Sequence, residues 1–445
     1  MTDHLFILGS NWLLSIAELI VYLRNRNIRV GVKDFSKRAV ILSSAGDFND
    51  EQLTNIQSAL GGCYKVAKVV TSYDCETAKR AFPVTGRIIQ KERATLLSCP
   101  WVKEVWAQPK DQRIKFGVST YPMWNDQSVD LKRFTVGMDE AVKAILIKMG
   151  AKNVAYYVYE GPDRRKSDRQ NTALWPQTLI RHGLLASPNA EILAVFTAKT
   201  LYIGRTVAAY DSILQQHRDE ARPYISPEIS TSPKICRTLL NVAGAKPGDT
   251  VLDPFCGTGT LLMEAAVLGM SSIGIDIDDN AVKGTIANLR WLEKELGRTL
   301  KFSVFRGDAR KTDSLVKERV DVVAFEPELG PIHSTRPEED EAGKTIEGLT
   351  SLYHDTLTAA SRRLKPEGRV AMTLPVINSK QGLFRVDLNE LVRGTPFTFM
   401  PFLPKECVID VEKRGEEPRL KTERTSLPER KRGQIVQREL VMLSR

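Results

Sequence analysis

No stretch of about eighteen consecutive apolar residues occurs in the chain, so a membrane-spanning helix is not expected. The apolar opening at 5–8 is too short for a secretory signal core and runs into a helical-looking segment carrying Glu18. A cytoplasmic location with no membrane partner is the expectation. Cysteine is sparse and scattered: Cys63, Cys75, Cys99, Cys236, Cys256 and Cys407, with no C-x-x-C pair. Zinc and iron–sulfur sites need clustered thiolates and a disulfide scaffold needs more of them, so no metal is expected and the thiols read as reduced. Long repeats and low-complexity tracts are also missing.

What is present is an ordinary globular composition, 42% hydrophobic and 27% charged, over 445 residues. That length allows two or three domains, each with a real core. The formal net charge is +10. A basic balance concentrates polyanions near the surface and favours a nucleic-acid partner, although a simple basic protein would carry the same charge. Nothing in the composition fixes the oligomeric state; a monomer is slightly the simpler expectation.

The first half mixes short strands, expected over 5–8, 29–35, 39–43, 64–70, 113–118, 153–159, 191–196 and 201–207, with helices over 15–25, 51–60 and 137–149. This is an α+β region. Between 210 and 233 the composition turns polar and is punctuated by Pro223, Pro227 and Pro233, which reads as a linker. Beyond it strands and helices alternate strictly: strands at 250–253, 272–277, 301–305, 320–325 and 369–374, and helices at 260–268, 280–296 and 345–364. That is the grammar of a doubly wound, mostly parallel α/β sheet. Two more strands, at 406–411 and 435–443, follow without a long helix between them and read as a terminal antiparallel pair.

The segment Val251-Leu-Asp-Pro-Phe-Cys-Gly-Thr-Gly-Thr260 puts a glycine turn between the first strand and helix of this sheet. Gly257 and Gly259 let the backbone turn tightly and let a ligand approach it. A dinucleotide fingerprint wants a third glycine where Leu262 stands, and Asp253 at the strand end would repel a pyrophosphate. S-adenosylmethionine presents an ammonium and a sulfonium and no phosphate, so an acid beside the turn suits it. Asp276, ending the second strand, is placed to accept both ribose hydroxyls. Asp278 or Asp279 is the cap of the next helix. Arg306-Gly-Asp308-Ala309 offers Asp308 to the adenine amine.

These residues resemble the class I methyltransferases, and more closely the THUMP-containing tRNA guanine-N2 methyltransferases of the archaeal type. The likeness rests on Asp253-Pro-Phe-Cys-Gly-Thr-Gly-Thr260, Gly274-Ile-Asp276-Ile-Asp278 and Gly307-Asp308-Ala309. It extends to Ser232-Pro233-Lys234, Gln437-Arg438-Glu439-Leu440, the passage from Tyr202 to Pro223, and the opening around Leu5–Gly9 and Ser15–Leu19. The resemblance implies a ferredoxin-like domain over 1–72, a THUMP-like RNA-binding domain over 73–209, a linker over 210–233 and a Rossmann-like methyltransferase domain over 234–445. It implies S-adenosyl-L-methionine as cofactor, held by Asp253, Phe255, Gly257, Gly259, Asp276, Asp308 and Ala309. The implied partner is tRNA, methylated at N2 of a guanosine in its body. Candidate phosphate contacts are Arg164, Arg165, Lys166, Arg218, Arg222, Arg430, Lys431 and Arg432, the last three lying with Arg414, Arg419, Lys421 and Arg424 in the loop between the final strands. Each basic run by itself is more often a solvated loop.

At the end of the fourth strand the pattern breaks. Amino-group methyltransferases of this kind carry D/N-P-P-Y/F/W there, with the acid or amide and a carbonyl accepting from the exocyclic amine and the aromatic stacking on the base. Here Glu326-Pro327-Glu328-Leu329 stands in that place. Three readings stay open. Glu326 still accepts from the amine, with Pro327 shaping the turn and Phe325 or His333 as base platform; or the target amine has changed; or the site has decayed into a non-catalytic RNA-binding protein that keeps the fold. Glu328 reads as an exposed loop carboxylate. A DNA amino-methyltransferase is disfavoured by the first half. Neither Cys236 nor Cys256 stands after the proline of the fourth-strand motif, so direct methyl transfer without a covalent enzyme intermediate is expected.

Overall fold

The computed structural model describes residues 2–122, 128–159, 172–226, 231–403, 423–429 and 433–445. Two sheets organise them. The first contains β1 (Thr2–Leu8), β2 (Val30–Phe35), β3 (Ala39–Ser44), β4 (Cys63–Asp74), β5 (Arg113–Tyr121), β6 (Asn153–Tyr156), β7 (Ala190–Phe196) and β8 (Thr200–Ala209), in the order β2-β3-β1-β4-β8-β7-β5-β6. The long strand β4 pairs antiparallel with β1 on one side and β8 on the other. It runs through position 72, where the sequence reading drew a domain boundary, so 1–72 and 73–209 share one sheet. This strand is longer than the apolar run expected at 64–70, because it continues in polar residues (Thr71, Ser72, Asp74) that pair with β8, whereas the strand expected at 153–159 ends at Tyr156.

The segment read as a linker contains a helix, Ser212–Glu220, capped by Asp211, whose Oδ1 accepts from the Ile213 and Leu214 N–H groups at 3.0 Å each. The cap offsets the orphan donors of the first turn. Its polar composition marks a helix covering its neighbours, not an extended tether.

The second sheet contains β9 (Thr250–Asp253), β10 (Ser271–Asp276), β11 (Phe302–Arg306), β12 (Val320–Phe325), β13 (Leu364–Asn378), β14 (Leu383–Arg385), β15 (Thr398–Phe399), β16 (Ser426–Glu429) and β17 (Val436–Ser444). Its main path is β11-β10-β9-β12-β13-β17-β15, with β14 on β13 and β16 on β17. The strands β9 to β13 run parallel, and β17 pairs antiparallel with β13 from Arg369↔Ser444 to Ile377↔Val436. Helices cover both faces, which is why Val251–Leu252 and Val322–Phe325 are unbroken buried runs. The strand at 406–411, expected as one member of a terminal pair, lies outside the described residues; β17 pairs with β13, β15 and β16. Chain order reverses at β9, which has β10 on one side and β12 on the other. Such a switch point opens a crevice at the carboxyl ends of the strands.

The two sheets dock through the helix Pro233–Val242. The buried Glu18 carboxylate accepts from the Gly61 and Gly62 N–H groups (2.8 Å each) and from Asn241 Nδ2 (2.7 Å). A Cβ at Gly61 would sit 2.1 Å from the Lys234 carbonyl oxygen, so only glycine permits this approach. No helix among the described residues is long and apolar enough to cross a membrane.

Candidate active site

The glycine turn leaves β9 at Asp253 and enters the helix Thr260–Val267. Gly257 and Gly259 hold φ of 52° and 78°, the left-handed region that favours glycine. The turn is braced from the helix Asp279–Leu296: Thr285 Oγ1 donates to the Gly257 carbonyl at 2.7 Å and Asn288 Nδ2 to the Thr258 carbonyl at 2.9 Å. A Cβ at Gly259 would meet Thr285 Cγ2 at 2.7 Å. Leu262, where a dinucleotide fingerprint has glycine, is fully buried against Gly274 of β10, whose own Cβ would lie 2.6 Å from Leu262 Cδ1. Close helix–strand packing is thus obtained with the glycine on the strand.

Four aspartates stand around the turn. Asp276 Oδ2 accepts from the Gly257 N–H at 2.8 Å and Oδ1 from the Asp278 N–H at 2.9 Å, so its carboxylate is fixed by the backbone of the turn and of its own strand end. Asp278 is the helix cap, accepting from Asn280 N–H. Asp253 is 3% exposed and accepts from the Phe255 N–H at 3.0 Å; burial pushes its carboxyl well above the usual range. Asp308 caps the short turn Ala309–Lys311 and pairs with Arg310 at 2.6 Å, which holds its carboxyl below the usual range.

Asp253, Phe255, Gly257, Asp276, Asp308, Ala309, Glu326 and Pro327 all line one cleft of about 910 Å³ at the β9/β12 switch point. Gly259 is not in its lining; it caps the following helix and packs on Thr285. Six carboxylates (Asp253, Asp276, Asp278, Asp308, Glu326 and Glu328) face the cleft, against Arg310 and Arg438, which are each paired with one of those acids. Such a lining suits a cationic ligand and opposes a diphosphate.

On the β12 side, Glu326 follows Phe325 directly and is 9% exposed at its side chain. Its Oε2 accepts from Thr231 Oγ1 at 2.5 Å, its Oε1 from Thr373 Oγ1 at 3.5 Å, and Arg438 forms an ion pair with Oε1. Pro327 is buried and Glu328 is exposed, its carbonyl accepting from the buried Tyr353 hydroxyl. Phe325 cannot serve as a base platform: it is fully buried and stacks on Phe255 with centroids 5.6 Å apart. His333 lines the cleft with its side chain mostly covered and its Nδ1 3.8 Å from Glu341. Burial holds the Cys236 and Cys256 thiols protonated, well above their ordinary range, which suits neither for nucleophilic attack.

Two of the expected phosphate contacts are engaged within the fold, Arg222 buried and Arg218 half-buried. Arg222 is 5% exposed, donates to Thr260 Oγ1 at 2.8 Å and pairs with Asp219 at 3.2 Å. Arg218 donates to Gln215 at 3.0 Å and reaches the buried Glu264 at 3.4 Å. Both brace the helix after the glycine turn, because the supposed linker packs against it. Arg164, Arg165, Lys166, Arg430, Lys431 and Arg432 lie outside the described residues. Thr231, Thr373 and Arg438 were not singled out as site residues in the sequence; the one signal was the segment Gln437-Arg438-Glu439-Leu440, polar at the start of a last strand that turns apolar after it.

Residues 228–380 match the family model described as "RMKL-like, methyltransferase domain", and residues 105–288 match one described as "DNA methylase". The second match covers the glycine turn and Asp276 and ends before β12. A tRNA (guanine(10)-N2)-dimethyltransferase of Methanothermobacter thermautotrophicus is 38% identical over 166 residues, 37% of this chain and 45% of that protein. Its counterpart from Methanocaldococcus jannaschii is 32% identical over 176 residues, 38% of this chain and 48% of that protein. The chain thus matches about half the length of these curated relatives. The crystal structure of TrmN from Thermus thermophilus covers 100% of this chain and 99% of its own at a TM-score of 0.50 and 17% identity, a likeness of fold across both sheets.

Proposed function

We propose that this protein, whose residues 228–380 match a methyltransferase-domain family model, is an S-adenosylmethionine-dependent tRNA methyltransferase acting on an exocyclic amine, N2 of a guanosine. The single observation that carries the reading is one cleft with acids around a glycine turn at one side and Glu326 at the end of β12 on the other. The relatives named for guanine-N2 methylation of tRNA supply the substrate.

The residues fit the cofactor. Asp276, already oriented by two N–H groups, keeps acceptor capacity for the ribose hydroxyls. Asp308 and Ala309 would hold the adenine, and Asp253 the methionine ammonium. The bare backbone at Gly257 and Gly259 admits close approach. Bound there, the cofactor supplies a methyl carbon activated by a positive sulfur. Glu326 would accept a hydrogen bond from the target amine and take the proton that the nitrogen loses as the methyl carbon parts from the donor's sulfur, passing it to solvent. Pro327 fixes the turn after β12. Orientation and exclusion of water do most of the work. The first half of the chain, read as ferredoxin-like and THUMP-like, grips the RNA; Arg164–Lys166 in that half and Arg430–Arg432, between the last two strands of the chain, serve as phosphate contacts.

Methyl-labelled S-adenosylmethionine and unmodified tRNA transcripts test this, with nucleosides separated by mass spectrometry. The expected product is N2-methylguanosine or its dimethylated form. Label on a pyrimidine carbon or a ribose would refute the reading; tRNA binding without transfer would favour the non-catalytic alternative, which the altered Glu326–Leu329 segment motivates.

A further inference from the structure

Resting on the reading of Glu326 as the group that receives the amine, we propose that Arg438 is a positioning residue for methyl transfer, its guanidinium fixing the Glu326 carboxylate at the end of β12. Glutamate has one more rotatable bond than aspartate, so a carboxylate at the same strand end has further to wander and more rotamer freedom to lose. The surroundings of Glu326 remove that freedom. Arg438 and Thr373 meet Oε1 and Thr231 meets Oε2, so the group is gripped from three separate parts of the chain.

Arg438 is itself immobilised. It stands opposite Pro375 of β13 and Glu429 of β16, inside a nine-pair register between β13 and β17. Its Nη1 lies 3.5 Å from Glu429 Oε2, while its Nε faces Glu326. The guanidinium is therefore held between two carboxylates, in ion-pair contact with Glu326 at the end of β12 and with Glu429 of β16. It also supplies positive charge beside Glu326 in a cleft crowded with acids. The acceptor atom is thus set by the last strand of the sheet, more than a hundred residues beyond the motif.

The test is single-turnover methyl transfer to tRNA by the full chain for wild type, R438M, R438K, E326Q and the E326Q/R438M double variant, with donor affinity measured by calorimetry. Methionine keeps most of the apolar stem, so donor affinity should stay within about threefold of wild type. The transfer rate of R438M should fall roughly 10²-fold, the scale on which a misplacement of about an ångström acts. R438K should recover part of the loss, and the double variant should be no slower than E326Q alone, because the two side chains act as one unit. A rate for R438M within twofold of wild type, or losses that multiply in the double variant, would overturn the proposal. If R438M also loses donor binding, R438K decides: donor binding and rate both at wild-type level would rule out a requirement for the guanidinium. A wild-type protein that binds donor and tRNA but transfers no methyl overturns the underlying reading instead, which keeps the two failures apart.

Discussion

On the side of the cleft formed by β9, β10 and β11, carboxylates are held by backbone N–H groups within a few residues or one strand of them; on the β12 side, Glu326 is held by side chains from positions 231, 373 and 438. The first arrangement depends on a turn whose shape is imposed by glycines and braced by Thr285 and Asn288. The second depends on strand register across half the sheet. One side is therefore robust to distant substitutions and sensitive to local ones, and the other is the reverse.

The strongest way to break that comparison is Asp276→Ala. It removes a charged acceptor that serves both the turn and the proposed ribose contact, so donor affinity should fall roughly 10²-fold, the scale of one or two lost charge-assisted hydrogen bonds. Unchanged affinity by calorimetry would remove Asp276 from the site.

A smaller effect comes from Asp253, whose carboxyl is raised by burial. A cationic ligand favours the ionised form, so donor binding should release a proton and weaken as pH drops through the raised value. The sign for stability follows from linkage: the native carboxyl holds its proton where the unfolded one has lost it. This group therefore favours the fold below the unfolded value near 3.8, and that contribution is lost as pH rises through the window up to the native value. Asp253→Asn should abolish the proton release seen in buffers of different ionisation enthalpy; its persistence would assign the proton to another group.

The smallest effect sharpens the line between site and surface. Arg222→Ala should lower stability by about 1–2 kcal/mol through the hydrogen bond lost at Thr260, and leave the salt dependence of tRNA binding as it was. A shallower salt slope would return Arg222 to the RNA contacts.

The same contrast explains how much could be read in advance. The doubly wound sheet was legible because parallel strands buried on both faces are written as apolar runs, as at Val322–Phe325, and the glycine turn because its chemistry is contiguous. Asp253, Asp276 and Asp308 stand where strand ends place them, so spacing alone suffices. The clamp on Glu326 was not legible, since Thr231, Thr373 and Arg438 meet only through sheet register. The bracing roles of Arg218 and Arg222 were hidden for a related reason. A charged, proline-punctuated segment looks like a tether until the helix Ser212–Glu220 sets Gln215 and Arg218 on Glu264, and Arg222 just beyond it reaches Thr260. The continuity of the first sheet through β4 was likewise masked by polar residues in the strand's second half.

The division of the cleft into a donor side and an acceptor side is tested most directly by Glu326→Gln, with donor affinity and single-turnover methyl transfer to tRNA measured on the same preparation. The expected result is donor binding within about threefold of wild type and a transfer rate lower by roughly 10²–10³, the range for loss of a general base. A variant that transfers methyl at the wild-type rate, or one that loses donor binding while the bound fraction still reacts normally, would contradict it.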